Sequence, residues 1–271
     1  MDSDDELQLS TSTLSVLQEF LKEQQASQEK FARLQAKAED QFEENRINGD
    51  YDEEAEREEA IRGAEEAERR ANAQDGKGDN DDDDDEITMD LFTEDWQLSQ
   101  FWYDEETSVA LAQEILDNTD KNSVIACISA PTAYVKLMSL KPHNKANTYL
   151  FEYDTRFGVY GKQFIHYDYS NPTQFRLADK LKGKVDYIVV DPPFLSDECC
   201  DKTLSTVRNL LNPNGGKVLM CTGFVMRSRV LDNIGAKMTT FHPKHKGGLS
   251  NEFRSYTNYE SKHMPWSTED A

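Results

Sequence analysis

Tyr187-Ile188-Val189-Val190-Asp191-Pro192-Pro193-Phe194 is the stretch that decides the fold. Its first four residues form a continuous apolar run, as a strand buried on both faces requires. Two consecutive prolines then remove the backbone donors and fix φ, so the ladder stops and the peptide becomes a stiff, extended turn with free carbonyls. In an open α/β sheet, a turn at the carboxyl end of a central strand lies where ligands bind.

Similar runs flank this one: Ser123 to Ile128, Thr148 to Phe151 and Lys217 to Cys221, with Phe164-Ile165-His166-Tyr167-Asp168-Tyr169 holding a third strand between them. The separations suit crossover helices, and Thr132 to Leu140 and Glu198 to Leu211 have helical spacing. Thr107 to Leu116 is also helical in period, offering Val109, Ala110, Ala112 and Leu116 to a core. Met238 to Phe241 and Phe253 to Tyr259 have no long helix between them and are expected to pair antiparallel at the sheet's edge. The predicted fold is α/β: a doubly wound, Rossmann-like sheet, mostly parallel with an antiparallel C-terminal edge pair. Parallel strands closed by an antiparallel pair suggest the methyltransferase variant of this architecture.

Charge divides the chain. Met1 to Glu86 holds 29 acidic and 10 basic residues, a net of −19, so residues 87–271 carry only −3 of the total −22. A segment so acidic buries too little apolar surface to offset ordering entropy. We therefore expect an acidic extension over 1–86 and a catalytic domain over 87–271. Within the extension, Leu14, Leu17 and Leu21 with Phe20 predict a short amphipathic helix near 13–25, docked on the domain or on a partner. Residues 53–73 carry Glu/Arg pairs at i,i+4 and predict a solvated helix, and 75–86 reads as a linker. No apolar stretch approaches the roughly 20 residues of a membrane span, and the acidic start does not resemble a signal peptide. Cys127, Cys199, Cys200 and Cys221 lack C-x-x-C spacing, so no metal site is expected. They suit a reducing cytosol or nucleus as small core residues, and a cytoplasmic location is expected.

The proline turn fits a reacting nitrogen. Such a nitrogen needs acceptors for its N–H groups and a π-face behind it; Asp191 and the Pro192 carbonyl supply the former, Phe194 the latter, with Pro193 keeping the turn rigid. An ordinary strand-ending turn is the competing reading. S-adenosylmethionine, as methyl donor, needs a turn for its amino-acid end, an acid for its ribose hydroxyls and a partner for its adenine amine. Ser129-Ala130-Pro131 follows the first strand, without a glycine. Glu152 ends the second strand about 20 residues later, with Asp154 as the alternative ribose ligand. Asp168 follows the third strand as an adenine partner.

These stretches resemble the eukaryotic elongation factor 1-alpha lysine methyltransferases of the type once described as N6-adenine-specific DNA methyltransferases. The similarity is carried by Asp95 to Tyr103, Ile125 to Pro131, Phe151 to Phe157, Asp191 to Cys199, Cys221-Thr222-Gly223 and Asn251-Glu252-Phe253-Arg254, over about 94–259. It implies a class I methyltransferase fold, S-adenosylmethionine as cofactor and a lysine of elongation factor 1-alpha as acceptor. The family's turn often ends in Tyr where this chain has Phe194. In the segment 96–103, Trp96, Phe101 and Trp102 are expected in the core, and the resemblance places Gln100 and Tyr103 on the cofactor pocket. Asn251 and Phe253 are candidates for the acceptor channel, and residues 242–248 form a basic surface loop or a substrate lid.

Two other functions compete. An adenine-N6 methyltransferase uses the same turn, but nucleic-acid binding calls for a basic surface that the charge balance denies, so no nucleic-acid partner is expected. The acidity suits a basic protein substrate by raising encounter rates. The second rival is a non-catalytic acidic module on the same sheet, which donor titration would expose by an absence of saturable binding.

Overall fold

The computed structural model describes residues 21–22, 25–26, 28–38, 86–142, 144–248 and 251–268. Seven strands form one sheet in the order β3-β2-β1-β4-β5-β7-β6: β1 Ile125–Ile128, β2 Thr148–Glu152, β3 Phe164–His166, β4 Tyr187–Val190, β5 Lys217–Gly223, β6 Lys237–Met238 and β7 Phe253–Thr257. The first five run parallel, and β7 lies antiparallel between β5 and β6. The expected edge pair is present, with the later strand inserted inside the earlier one.

Strand alternation accounts for the two cores. Ile125, Cys127, Tyr187, Val189, Leu219 and Cys221 face one layer. Ala126, Ile128, Ile188, Val190, Val218 and Met220 face the other. Because successive side chains point to opposite faces, a strand covered on both sides must be apolar at every position. The first layer is covered by α1 Glu105–Asp117 and α2 Pro131–Ser139, the second by α3 Ala178–Leu181, α4 Asp197–Leu210 and α5 Arg227–Ile234. Asp104 caps α1 by accepting from the Thr107 amide at 2.8 Å, and Ser196 caps α4 by accepting from the Cys199 amide at 3.3 Å. All four cysteines are buried and unpaired.

The buried face of α1 differs from expectation. Leu111, Ala112 and Ile115 are inside, while Val109 points outward at 41% exposure. Two γ- or δ-extended side chains four residues apart reach the sheet, and Val109 falls on the opposite side of the helix. Leu111→Ala should cost about 2–5 kcal/mol through lost burial and an unfilled cavity. Denaturant unfolding of the variant checks this.

The expected helix near 13–25 lies largely outside the described residues, as do the helix over 53–73 and residues 75–85 of the linker. The described residues of that first helix, Leu21, Lys22, Gln25 and Ala26, are helical, and so are residues 28–38. Leu34 is buried, and the Phe31 ring meets Phe92 edge-on at 5.9 Å. Phe92 stacks on Phe157 at 4.1 Å, which in turn meets Trp102 edge-on at 6.2 Å. This aromatic series fastens the helical segment and the peptide 86–103 to the first layer.

Candidate active site

Reversal of strand order between β1 and β4 opens a crevice at their carboxyl ends, and a cavity of about 800 Å³ lies there. Five segments line it: Gln97 to Tyr103, Ser129 to Thr132 after β1, Glu152 and Tyr153 after β2, Tyr167 to Ser170 after β3, and Asp191 to Leu195 after β4. His245, Gly248, Asn251 and Phe253 close the side next to β7.

Asp191 is fixed from two directions. Its amide donates to the Ile128 carbonyl at 3.0 Å, continuing the β1–β4 ladder by one bond. Its Oδ2 accepts the Tyr103 hydroxyl at 2.5 Å. Removal from water pushes the Asp191 carboxyl up to about 7; the Tyr103 hydrogen bond opposes that shift and the charge of Glu152 adds to it. The Tyr103 hydroxyl is itself held protonated by burial and by Asp191. Among the described residues no donor meets the Pro192 carbonyl. Pro192 is buried, Pro193 half-buried, and the Phe194 ring stands at the rim, 39% exposed and edge-on to Tyr169 at 5.9 Å.

Tyr103→Phe tests the role of this hydrogen bond. A bond to a charged carboxylate is worth about 1.5–3 kcal/mol, and its loss raises the Asp191 pKa further. The ionised form is the one that can attract a cationic amine. The acid limb of the pH–rate profile should therefore move upward by roughly one to two units, with turnover at pH 7 falling about tenfold or more.

On the same cavity wall, Glu152 is buried at the tip of β2. Its Oε1 accepts from the amides of Tyr153 at 2.9 Å and Asp154 at 3.2 Å. Among the described residues no donor meets Oε2. Burial pushes this carboxyl up to about 7, against the pull of those amides. A carboxylate oxygen on a cavity wall without a protein donor can accept from a ligand, such as a hydroxyl.

Ser129 adopts a left-handed backbone at φ 49°, and its amide donates to the Phe151 carbonyl at 2.8 Å. This conformation costs a non-glycine residue about 1–2 kcal/mol, so the turn expected here forms with serine in the place usually suited to glycine. Ala130 precedes α2 without a side-chain cap, and Pro131 occupies its first turn. Asp168 lines the cavity, but its oxygens already accept from the Ser170 amide at 2.8 Å and Asn171 Nδ2 at 3.1 Å. A carboxylate retains further lone pairs for an amine. Asn251 and Phe253 line the β7 side, as the acceptor-channel reading requires.

Two expectations are corrected, and a third is refined. Asp154 does not line the cavity; its carboxylate is held by Arg156, with Nη2 at 2.6 Å, and by Gln100 Nε2 at 2.8 Å. Gln100 does line it, but its oxygen accepts from the Asp95 amide and Arg156, so its polar groups hold the wall together rather than face a ligand. Trp96 is 77% exposed and Phe101 38%, leaving Trp102 as the core residue of that segment, its indole donating to the Phe92 carbonyl at 2.8 Å. A three-residue 3₁₀ turn at Trp96–Leu98 turns Trp96 outward.

The structure also brings in residues that sequence reasoning missed. Tyr153, Tyr169 and His245 all line the cavity. Adjacency to Glu152 was the signal for Tyr153. His245 was legible only as part of a basic loop, yet that segment is tied down: the Asp104 amide donates to the Lys244 carbonyl at 2.9 Å, and the Lys246 amide to the Trp102 carbonyl at 2.8 Å.

The chain is similar to known proteins across this region. A family model described as "Probable N6-adenine methyltransferase" matches residues 94–261. "EEF1A lysine methyltransferase 1" of Homo sapiens is 46% identical over 172 residues, covering 63% of this chain and 78% of that protein. "Protein-lysine N-methyltransferase EFM5" of Saccharomyces cerevisiae is 37% identical over 269 residues, covering 93% of this chain and 92% of that one. A Dictyostelium discoideum relative, also named a protein-lysine N-methyltransferase, is 43% identical over 171 residues, covering 63% of this chain and 79% of that protein. With the proline turn, the seven-stranded sheet and these matches in agreement, the chain belongs to the family described as probable N6-adenine methyltransferases, whose human, yeast and Dictyostelium relatives are named lysine methyltransferases.

Proposed function

We propose that this protein transfers a methyl group from S-adenosylmethionine to the ε-amine of a lysine in elongation factor 1-alpha. The observation that carries the reading is a cavity lined by two carboxylates: Glu152 with an open oxygen, and Asp191 oriented by Tyr103 within the Asp-Pro-Pro-Phe turn. The names of the human and yeast relatives support lysine as the acceptor and elongation factor 1-alpha as its source.

S-adenosylmethionine, when bound, supplies an electrophilic methyl group on a sulfonium. The residues present suit it. Glu152 would take the ribose hydroxyls, the turn at Ser129, Ala130 and Pro131 the amino-acid end, and Asp168 the adenine amine. Tyr153 offers an aromatic face beside them.

The chain's own work is alignment and electrostatics. Asp191 accepts an N–H of the incoming amine and offsets the positive charge that grows on nitrogen. Tyr103 holds one carboxylate oxygen, leaving the other for the amine. Phe194 and Phe253 border the approach with apolar surface and exclude water from it. The prolines keep the turn from relaxing, so its acceptors are already placed when the substrate arrives.

The family's description favours a second reading, adenine-N6 methylation of DNA or RNA. A net charge of −22 opposes it, since a nucleic-acid binder offsets phosphates with Lys and Arg. Buried, unpaired cysteines support a reducing compartment, and we take it to be the cytoplasm. The test is incubation with labelled donor and, in parallel, elongation factor 1-alpha, DNA and RNA, followed by mapping of the label. Label on a lysine is expected; label on adenine overturns the reading.

A further inference from the structure

The lysine reading leaves one chemical need unmet. A lysine amine enters as an ammonium, with a pKa near ~10.4 in water, and has no lone pair until a proton leaves. Asp191 is a poor destination. One of its oxygens is occupied by Tyr103, and protonating it would cancel the negative charge that the transition state uses.

We propose that His245 takes this proton, so that acceptor and charge-stabiliser are separate groups on either side of Tyr103. The imidazole lines the same cavity as Asp191, Phe194 and Phe253. Its ring lies 4.8 Å from the Tyr103 ring, tilted by 36°, and 4.8 Å from Phe253, edge-on at 80°. Backbone pairing between Tyr103 and His245 fixes the segment that carries it. Among the described residues neither ring nitrogen has a hydrogen-bond partner. A half-buried histidine clamped between two aromatic rings, with both nitrogens unengaged, is held in position with its proton-accepting capacity unspent.

The surroundings favour the neutral, accepting form. Burial lowers the His245 pKa from its ordinary value, against the opposing charges of Glu94 and Asp104. From the β4 side the charged group is Asp191, bonded to the far side of Tyr103, and the β7 residue against the ring is the uncharged Phe253. The neighbouring Lys244 and Lys246 pair at the surface with Glu106 at 3.9 Å and Asp90 at 3.7 Å. In the step itself an ammonium N–H bond breaks and its electron pair stays on nitrogen as the lone pair. The proton bonds to a ring nitrogen, and the resulting imidazolium returns it to water.

The inference rests on the lysine reading, and the experiment separates the two. His245→Phe keeps an aromatic ring against Tyr103 and Phe253; His245→Gln keeps polarity without a titratable base. Both should lower kcat at pH 7 by about 100-fold or more, with unchanged donor affinity, and both should recover as pH approaches about 10, where the substrate amine sheds its own proton. Wild-type kcat should instead be retained near pH 7 and fall only at lower pH, where Asp191 and the imidazole are both protonated. Retention of wild-type kcat at pH 7 by either variant overturns the assignment, as does an equal loss at every pH, which would mark a packing role. If the wild-type protein labels no lysine, the lysine reading itself falls, and this inference with it.

Discussion

Asp191→Asn should lower turnover by about 100- to 1,000-fold, the range seen when one preorganised electrostatic contact is removed from a reacting centre. The asparagine oxygen can still accept the Tyr103 hydroxyl that now meets Oδ2 at 2.5 Å, so the fold is preserved. Its amide group then points donors at an amine that needs acceptors, and the negative charge beside the developing ammonium is gone. Asp191→Ala is a less clean test, because it leaves the Tyr103 hydroxyl buried without a partner at a cost of about 1–3 kcal/mol. Donor affinity should be largely unchanged in the asparagine variant, since Glu152 and the backbone turn at Ser129 keep their own contacts. Steady-state kinetics beside calorimetric donor titration gives both quantities. Wild-type turnover in Asp191→Asn would remove this residue from the mechanism.

The second large effect concerns binding rather than turnover. Glu152→Ala should weaken S-adenosylmethionine binding on the order of 100- to 1,000-fold, through loss of charged hydrogen bonds to the ribose hydroxyls. At saturating donor, kcat should stay near wild type, the reverse of the Asp191 pattern. A pH signature accompanies it. Glu152 is pushed up to about 7 in the free protein, and only its ionised form accepts two hydroxyls. Donor affinity should be flat above about pH 7 and weaken as pH falls through it. Glu152→Gln has nothing to titrate there and should lose that dependence. Titrations between about pH 5.5 and 8.5, on the order of one unit to either side of the shifted value, distinguish the two. A donor Kd that ignores the alanine substitution would exclude Glu152 as the ribose ligand.

Both of these carboxylates were readable from local sequence, because each ends an apolar run and strand ends on one edge of a parallel sheet converge. The runs themselves were equally plain. Ile125 to Ile128, Tyr187 to Val190 and most of Lys217 to Gly223 are apolar at successive positions because both faces of the sheet are covered. Helical spacing also located α2 and α4 to within one residue at each end. Where local patterns were ambiguous, as on α1, packing chose Leu111 and Ile115 over Val109.

What the amino-acid sequence determined by itself was the alternation of elements, the interrupting proline turn and the division of charge, since each depends on neighbours along the chain. Tertiary structure alone decided which acids face the cavity. Asp154 and Glu152 are two residues apart, yet Arg156 and Gln100 hold the first in the wall while the second opens inward. It alone joined Tyr103 to Asp191 across 88 residues of chain, and set His245 beside that pair from a segment that its sequence left open between a surface loop and a substrate lid. The reason is physical: periodicity and backbone chemistry act over a few residues, whereas a hydrogen bond between distant side chains exists only after the sheet has brought their backbones together.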